Sequence, residues 1–190
     1  MPLIPAFEIG IRNAWLFMCI FPLQWLAVAL SSPAAALRTG LSREIERSKT
    51  ERRATTAGMV LWVAASCYSV FLPFHVGTAW FYTGLGFFIL GLVALIAATI
   101  CFVRAPTDRP ITGGIFRYSR HPMYLSMFLV YIGVSIAAAS WLFSLLTIFT
   151  IIMQRRGAIF EEKCCQEIYG DAYRNYMSRT PRWPGRPKPG

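Results

Sequence analysis

The chain has 190 residues, of which 55% are hydrophobic and 15% charged, and its mean hydropathy is +0.46. This composition is too apolar for an ordinary soluble domain, and the length favours one domain. The net charge of +10 alone would be compatible with nucleic-acid binding, but the positions of the charges favour a membrane protein.

Three long stretches, 13–37, 54–103 and 121–154, contain no Lys, Arg, Asp or Glu. A spanning helix needs about 20 apolar residues. The first stretch predicts a span at about 13–36, with possible kinks at Pro22 and Pro33. The second is too long for one helix, and its "PFHVGTA" segment at 73–79 predicts two spans, near 55–74 and 80–103.

The run Met123–Met153 has 31 residues without charge. A single crossing would place the cationic tail on the far side of the membrane, against the positive-inside tendency. We therefore predict a short helical hairpin that turns near "AAAS" at 137–140. Eighteen of the 19 Lys and Arg residues then share one side, since the segments 38–53, 104–120 and 154–190 hold 6, 4 and 8 of them.

The sequence thus predicts an all-α integral membrane protein with five transmembrane segments, of which the last two form the hairpin, and a cytosolic helical tail. One membrane domain covers 1–190, with three spans in 1–103 and the connector, hairpin and tail in 104–190. The N-terminus is expected outside and the C-terminus in the cytosol, in the inner or plasma membrane if the protein is bacterial. In the tail, Gly170 is placed to end one helix and Asp171 to begin the next.

The segment "RYSRHPMYLS" at 117–126 directly precedes the hairpin. Pro122 fits the first position of a helix and disfavours helical geometry at His121. Arg120 and His121 therefore flank a helix N-terminus, which suits an anionic group. Tyr124 follows His121 by three residues and can lie on the same face. An ordinary interfacial anchor would have the same pattern.

Glu161 and Glu162 follow the hairpin on the same side of the membrane. Acidic residues beside a membrane are costly unless they are solvated or paired. They form either a surface ion pair with nearby arginines or a site for a cationic group. Together with Arg120 and His121, the second interpretation predicts a pocket for a zwitterionic sulfonium compound. No metal site is predicted, and the five cysteines read as small hydrophobic residues.

"TGGIFRYSRHPMYLSMFL", followed about 40 residues later by "EEKCCQEIYGDAYRNYMSRTPRW", resembles the isoprenylcysteine carboxyl methyltransferase and phospholipid methyltransferase superfamily. The shared pattern is Arg-His-Pro-x-Tyr, a hairpin, Glu-Glu, spaced tyrosines and a closing Pro-Arg, over roughly 110–183. The connector here is more compact than is usual in the family, and Cys164-Cys165 replaces its usual leucine region.

The resemblance implies an integral membrane enzyme that uses S-adenosylmethionine. By position, the implied cofactor-binding residues are Arg120, His121, Pro122, Tyr124, Glu161, Glu162, Tyr173 and Tyr176, and the implied catalytic residues are Glu161, Glu162 and Tyr124. The "GLG" at 84–86 resembles a glycine pair near the cofactor, although glycines in membrane helices also allow close packing.

The expected activity is carboxyl O-methylation of an amphiphilic acceptor, as in the isoprenylcysteine enzymes. The alternatives are N-methylation of phosphatidylethanolamine, an NADPH-dependent sterol-reductase-like activity, and a non-enzymatic membrane protein. The expected partners are a lipid or prenylated acceptor and membrane lipid, not nucleic acid. The acceptor and the oligomeric state stay open.

Overall fold

The computed structural model describes residues 8–31 and 48–188. Within these ranges the chain is helical and forms no strand. The α-helices are α1 (Trp15–Met18), α2 (Ile20–Ser31), α3 (Lys49–Ser69), α4 (Ala79–Arg104), α5 (Pro122–Ala137) and α6 (Trp141–Arg179), with a 3-10 helix at Gly114–Arg117 between α4 and α5.

The chain turns that were predicted on the external side lie together at one end of the bundle. The backbone N–H of Ala14 donates to the carbonyl of Leu72 (2.9 Å), and the N–H of His75 donates to that of Ala137 (3.4 Å). The segment before α1, the turn after α3 and the hairpin turn therefore share this end. Its only described Lys or Arg is Arg12, so the described part of the bundle keeps the predicted grouping of cations.

The first predicted span is broken rather than merely kinked. Helix α1 ends at Met18 and α2 begins at Ile20. The break, at Cys19, directly follows Met18, whose carbonyl lies four residues before Pro22 and would clash with the proline ring in a continuous helix. Pro33, the other predicted kink, lies outside the described residues.

Helix α3 begins and ends about five residues earlier than its predicted span at 55–74. It starts at Lys49 because Ser48 and Glu51 form a capping box, in which each side chain accepts from the other's backbone N–H. It ends at Ser69, where the Asn13 side chain donates to the carbonyl of Val70 (2.7 Å). The charged segment is thus partly helical.

Helices α4 and α6 are long and apolar enough to cross a membrane, with mean hydropathies of 2.7 and 1.3 over their most apolar 18 residues. The segments Trp15–Ser31 and Pro122–Ala137 are shorter apolar helices. Helix α3 carries charge in its first turns. The described helices therefore confirm an all-helical chain with apolar segments of membrane type, and the number of five spans stays a prediction.

The hairpin turns at Ala138–Ser140, as predicted, but its second limb is not short. Helix α6 starts where the Ser140 hydroxyl accepts from the N–H of Phe143, and it continues past the last uncharged residue, Met153, into the tail. The change from apolar to charged residues after Met153, where the last span was predicted to end, does not interrupt the helix. The break predicted at Gly170 is present, with a left-handed φ of 55° that favours glycine.

Helices α4 and α5 approach each other closely where Gly84 of α4 meets Gly133 of α5. A Cβ atom on Gly84 would lie 2.4 Å from the backbone N of Ala137 and 2.5 Å from the backbone O of Gly133. Gly86 faces open space, with nothing within 4 Å of its Cβ position. Gly84 is therefore a helix-packing residue, and it lies beside the C-terminal half of α5.

We expect Gly84→Ala to lower the free energy of unfolding by about 3 kcal/mol, because the new methyl group meets backbone that cannot rotate away. The matched control is Gly86→Ala, which should be neutral or stabilise by up to about 1 kcal/mol, since alanine favours a helix over glycine. Thermal unfolding of both variants in detergent measures the difference. Equal stabilities would contradict the close approach of α4 and α5.

Candidate functional site

The segment Arg120–Pro122 leads into the N-terminal end of α5, as the sequence predicts. Pro122 is the first residue of α5, and His121 precedes it with non-helical dihedral angles (φ −128°, ψ 56°). The backbone N–H of His121 donates to the Ser119 hydroxyl (3.1 Å). The His121 side chain is buried and turned towards α6.

Glu162 lies at the centre of this site, and it is only 2% exposed. Arg182 donates to both carboxylate oxygens, from Nε to Oε1 (2.8 Å) and from Nη2 to Oε2 (2.7 Å). His121 Nε2 lies 3.1 Å from Oε1, and Arg120 Nη2 lies 3.4 Å from the same oxygen. Since an ionised carboxylate only accepts, Nε2 carries the proton. Both oxygens of Glu162 are thus occupied by protein donors.

The surroundings of Glu162 keep it ionised. Burial alone raises the pKa of this carboxyl, but the hydrogen bonds from His121 and Arg182 and the charge of Arg120 lower it to about 2. The hydrogen bond between Arg182 and Glu162 also raises the pKa of Arg182. The ionised carboxylate therefore connects Arg120 and His121, at the start of α5, to Arg182 in the C-terminal segment.

We expect this carboxylate to stabilise the protein in a pH-dependent way. Its folded pKa of about 2 lies below the ordinary value of 4.5, so folding favours the ionised form. The contribution is complete above about pH 4.5 and is lost as the pH falls through 2. Thermal unfolding of the wild type and of Glu162→Gln between pH 7 and pH 2 checks this. The difference in Tm should shrink below pH 4.5, and a constant difference would contradict it.

Glu161 has a different environment from its neighbour. Its side chain is 50% exposed, and its Oε2 lies 3.6 Å from His121 Nδ1, beyond hydrogen-bond distance. Tyr124 lies within electrostatic reach of Glu161, and the rings of Tyr124 and His121 are 5.4 Å apart. Glu161 is therefore the carboxylate of the pair that is open to a ligand.

The guanidinium group of Arg120 is largely shielded from solvent, with the side chain 9% exposed, and it is incompletely paired. Its Nη2 faces Glu162, but its Nε and Nη1 have no hydrogen-bond partner among the described residues. A buried donor without an acceptor costs about 1–3 kcal/mol. The two N–H groups are therefore suited to an anionic group of a ligand, which would reach them once neighbouring side chains shift.

The two tail tyrosines, Tyr173 and Tyr176, pack in the interior and hold the tail helix against the connector. Both side chains are buried, their rings meet edge to face at 5.7 Å, and the Tyr176 hydroxyl donates to the carbonyl of Phe116 (2.7 Å). Burial raises the pKa of Tyr173 and of Tyr176, so both stay neutral. Tyr176 thus contacts the connector through its hydroxyl.

The C-terminal segment 180–188 contributes residues that the sequence did not assign to the site. The Ser119 hydroxyl donates to the carbonyl of Arg182 (2.8 Å), and the N–H of Arg120 donates to that of Pro181 (3.0 Å). The Trp183 ring lies 6.2 Å from that of His121. The signal was present in the sequence as the closing Pro-Arg of the family pattern, but no role was attached to it.

The structure therefore brings Arg120, His121, Tyr124, Glu161 and Glu162 together, with Pro122 starting the helix that carries Tyr124. It does not bring "GLG" to them. Gly84 contacts Gly133 and Ala137, at least 11 residues along α5 from Pro122, or about 16 Å. In the residues that the structure describes, no group of three or more His, Cys, Asp or Glu is placed to hold a metal ion.

A family model described as phospholipid methyltransferase matches residues 72–172, just over half of the 190 residues. The matched range contains both motifs of the site and ends before Arg182. No curated protein and no solved structure matches the chain. The match gives no support to the sterol-reductase-like alternative.

Proposed function

The chain belongs to the phospholipid methyltransferase family, and from this we propose that it transfers a methyl group from S-adenosylmethionine to the headgroup of an amphiphilic acceptor. Membrane methyltransferases of this family typically use that cofactor. One observation carries the assignment of the site, namely that the buried, unpartnered N–H groups of Arg120 and the open carboxylate of Glu161 both adjoin the pair formed by His121 and Glu162. These opposite charges match a zwitterion.

The anionic end of the cofactor is assigned to Arg120. Its Nε and Nη1 offer two N–H groups to a carboxylate, and hydrogen bonds between ionised groups are stronger than neutral ones. Arg120 Nη2 stays on Glu162, which fixes the direction of the guanidinium group. His121 is held between the two glutamates and keeps this arrangement in place.

The cationic groups of the cofactor are assigned to Glu161. S-adenosylmethionine supplies the methyl group from a positively charged sulfonium. A half-exposed carboxylate beside His121, whose ring lies 5.4 Å from that of Tyr124 and 6.2 Å from that of Trp183, suits such a cation. Glu162, whose oxygens are taken by Arg182, His121 and Arg120, is assigned to positioning and not to contact with the cofactor.

We assign an amine headgroup to the acceptor, as in phosphatidylethanolamine. An ammonium group must lose a proton before it can accept a methyl group, and Glu161 is the open base of the site. A carboxylate acceptor, as in isoprenylcysteine, needs no base and would be repelled by the same Glu161. The charge at this position therefore favours N-methylation over the carboxyl O-methylation expected from the sequence.

The experiment is methyl transfer by the purified protein in detergent, with S-adenosylmethionine radiolabelled in the methyl group. We expect label in phosphatidylethanolamine and not in phosphatidylcholine, which has no free valence on nitrogen. Label in a farnesylcysteine analogue only would replace N-methylation by carboxyl O-methylation at the same site. If the protein bound the cofactor but labelled neither acceptor, the proposal of an amphiphilic acceptor would be wrong.

We also propose that the end carrying the site faces the cytosol, because the described cations other than Arg12 lie at that end or in the tail. Cysteine substitutions at Val76, in the turn after α3, and at Lys188, in the tail, test this with a membrane-impermeant thiol reagent in a variant that lacks the native cysteines. Val76→Cys should react in intact cells and Lys188→Cys only after lysis. The reverse pattern would invert the topology.

A further inference from the structure

A second charged feature lies on α3, outside the site. Lys49, Arg52 and Arg53 line an open groove together with Thr56, Ala57 and Val60. All three cations are exposed, and they form no ion pair with a described carboxylate. The nearest acid in sequence, Glu51, accepts from the backbone N–H of Ser48 in the capping box. Three cations therefore line the groove, and its lining includes no described carboxylate.

The groove continues into an apolar face of the same helix. Val60 and Val63 follow the cations at helical spacing, and they are 59% and 44% exposed. The small side chains of Thr56 and Ala57 lie between the charged and the apolar parts. One face of α3 thus changes from cationic to apolar within about three turns, or about 16 Å.

The pairing of α3 with α6 places this change at the membrane boundary. Tyr68 contacts Ser140 at the start of α6, and Gly58 lies against Met153, where the uncharged part of α6 ends. The two helices are therefore antiparallel, and the first turn of α3 reaches the level of α6 beyond Met153, where Arg155 begins the charged part. A bilayer that ends where the charged part of α6 begins would put the cations at headgroup depth and Val63 at acyl-chain depth.

We propose that this groove binds one anionic phospholipid, with its phosphate among Lys49, Arg52 and Arg53 and an acyl chain along Val60 and Val63. The occupant is a lipid rather than a soluble phosphate because an exposed apolar face directly continues the cationic cluster. Basic clusters next to a membrane helix attract anionic headgroups. The site is separate from the proposed methyl-transfer site, since neither Arg120 nor Glu161 lines the groove.

The test is binding of spin-labelled phosphatidylglycerol to the purified protein in micelles of a neutral detergent, measured as the motionally restricted fraction in electron paramagnetic resonance spectra. We expect saturable binding of about one lipid per chain and a weaker signal from spin-labelled phosphatidylcholine. The triple variant K49Q/R52Q/R53Q should bind phosphatidylglycerol at least roughly tenfold more weakly. The charge-conserving K49R/R52K/R53K should retain the affinity.

The matched control is R155Q/R156Q/K163Q, which removes three exposed cations from α6 on the same side of the membrane. It should keep clearly more of the affinity than K49Q/R52Q/R53Q, because none of these three cations lines the groove. Equal loss in both triple variants, or equal binding of the two lipids by the wild type, would overturn the site. Unlabelled phosphatidylglycerol and glycerol phosphate are then compared as competitors of the spin-labelled lipid. If both displaced it at the same concentration, the occupant would be a soluble phosphate and not a lipid.

Discussion

Glu162→Ala is expected to lower the free energy of unfolding by about 3–5 kcal/mol, because it leaves the guanidinium groups of Arg120 and Arg182 without their shared carboxylate. The loss should appear as release of the C-terminal segment from the start of α5. Thermal unfolding in detergent, with limited proteolysis after Arg179 as a second readout, measures both effects.

Glu161→Ala is the matched control, because it removes the neighbouring carboxylate from the same helix. Glu161 is half-exposed and makes no close ion pair, so its removal should cost less than about 1 kcal/mol. If the two alanine variants were equally stable, the central position of Glu162 in the ion network would be wrong.

Glu161→Gln is expected to weaken binding of S-adenosylmethionine by roughly 10- to 150-fold, which corresponds to the 1.5–3 kcal/mol of a hydrogen bond to a charged group. The loss should be smaller for S-adenosylhomocysteine, which has no sulfonium charge. Calorimetric titration of both compounds into the variant measures the two affinities. The variant should keep the unfolding temperature of the wild type.

Glu167→Gln is the control for charge, since Glu167 is an exposed carboxylate on the same helix. It should leave both affinities within about twofold of the wild type. If Glu161→Gln and Glu167→Gln bound both compounds like the wild type, Glu161 would not contact the cofactor, whatever the activity of the protein.

The sequence predicted the helical boundaries best where short-range chemistry decides them. Pro122 at the start of α5, the turn at 137–140 and the break at Gly170 all follow from local dihedral preferences or from the charge pattern. The membrane boundary was a weaker guide. From that boundary, the second helix of the hairpin was expected to stop near Met153. Helix α6 instead continues, because no residue there disfavours a helix.

The site was predictable as a set of residues but not as a set of roles. Arg-His-Pro and Glu-Glu were predicted to come together, and they do. The unequal burial of Glu161 and Glu162 depends on which side of α6 faces His121, and the apolar periodicity of a helix with a charged second half does not determine that. Arg182 was missed because its partner lies 20 residues earlier in the chain.

The most direct test of the account is calorimetric titration of S-adenosylhomocysteine into the purified wild-type protein, with NADPH titrated in parallel. The account predicts saturable binding of one S-adenosylhomocysteine per chain, abolished or strongly weakened in Arg120→Ala, and no binding of NADPH. Absence of S-adenosylhomocysteine binding to a folded wild-type protein, or unchanged binding to a folded Arg120→Ala variant, would contradict it.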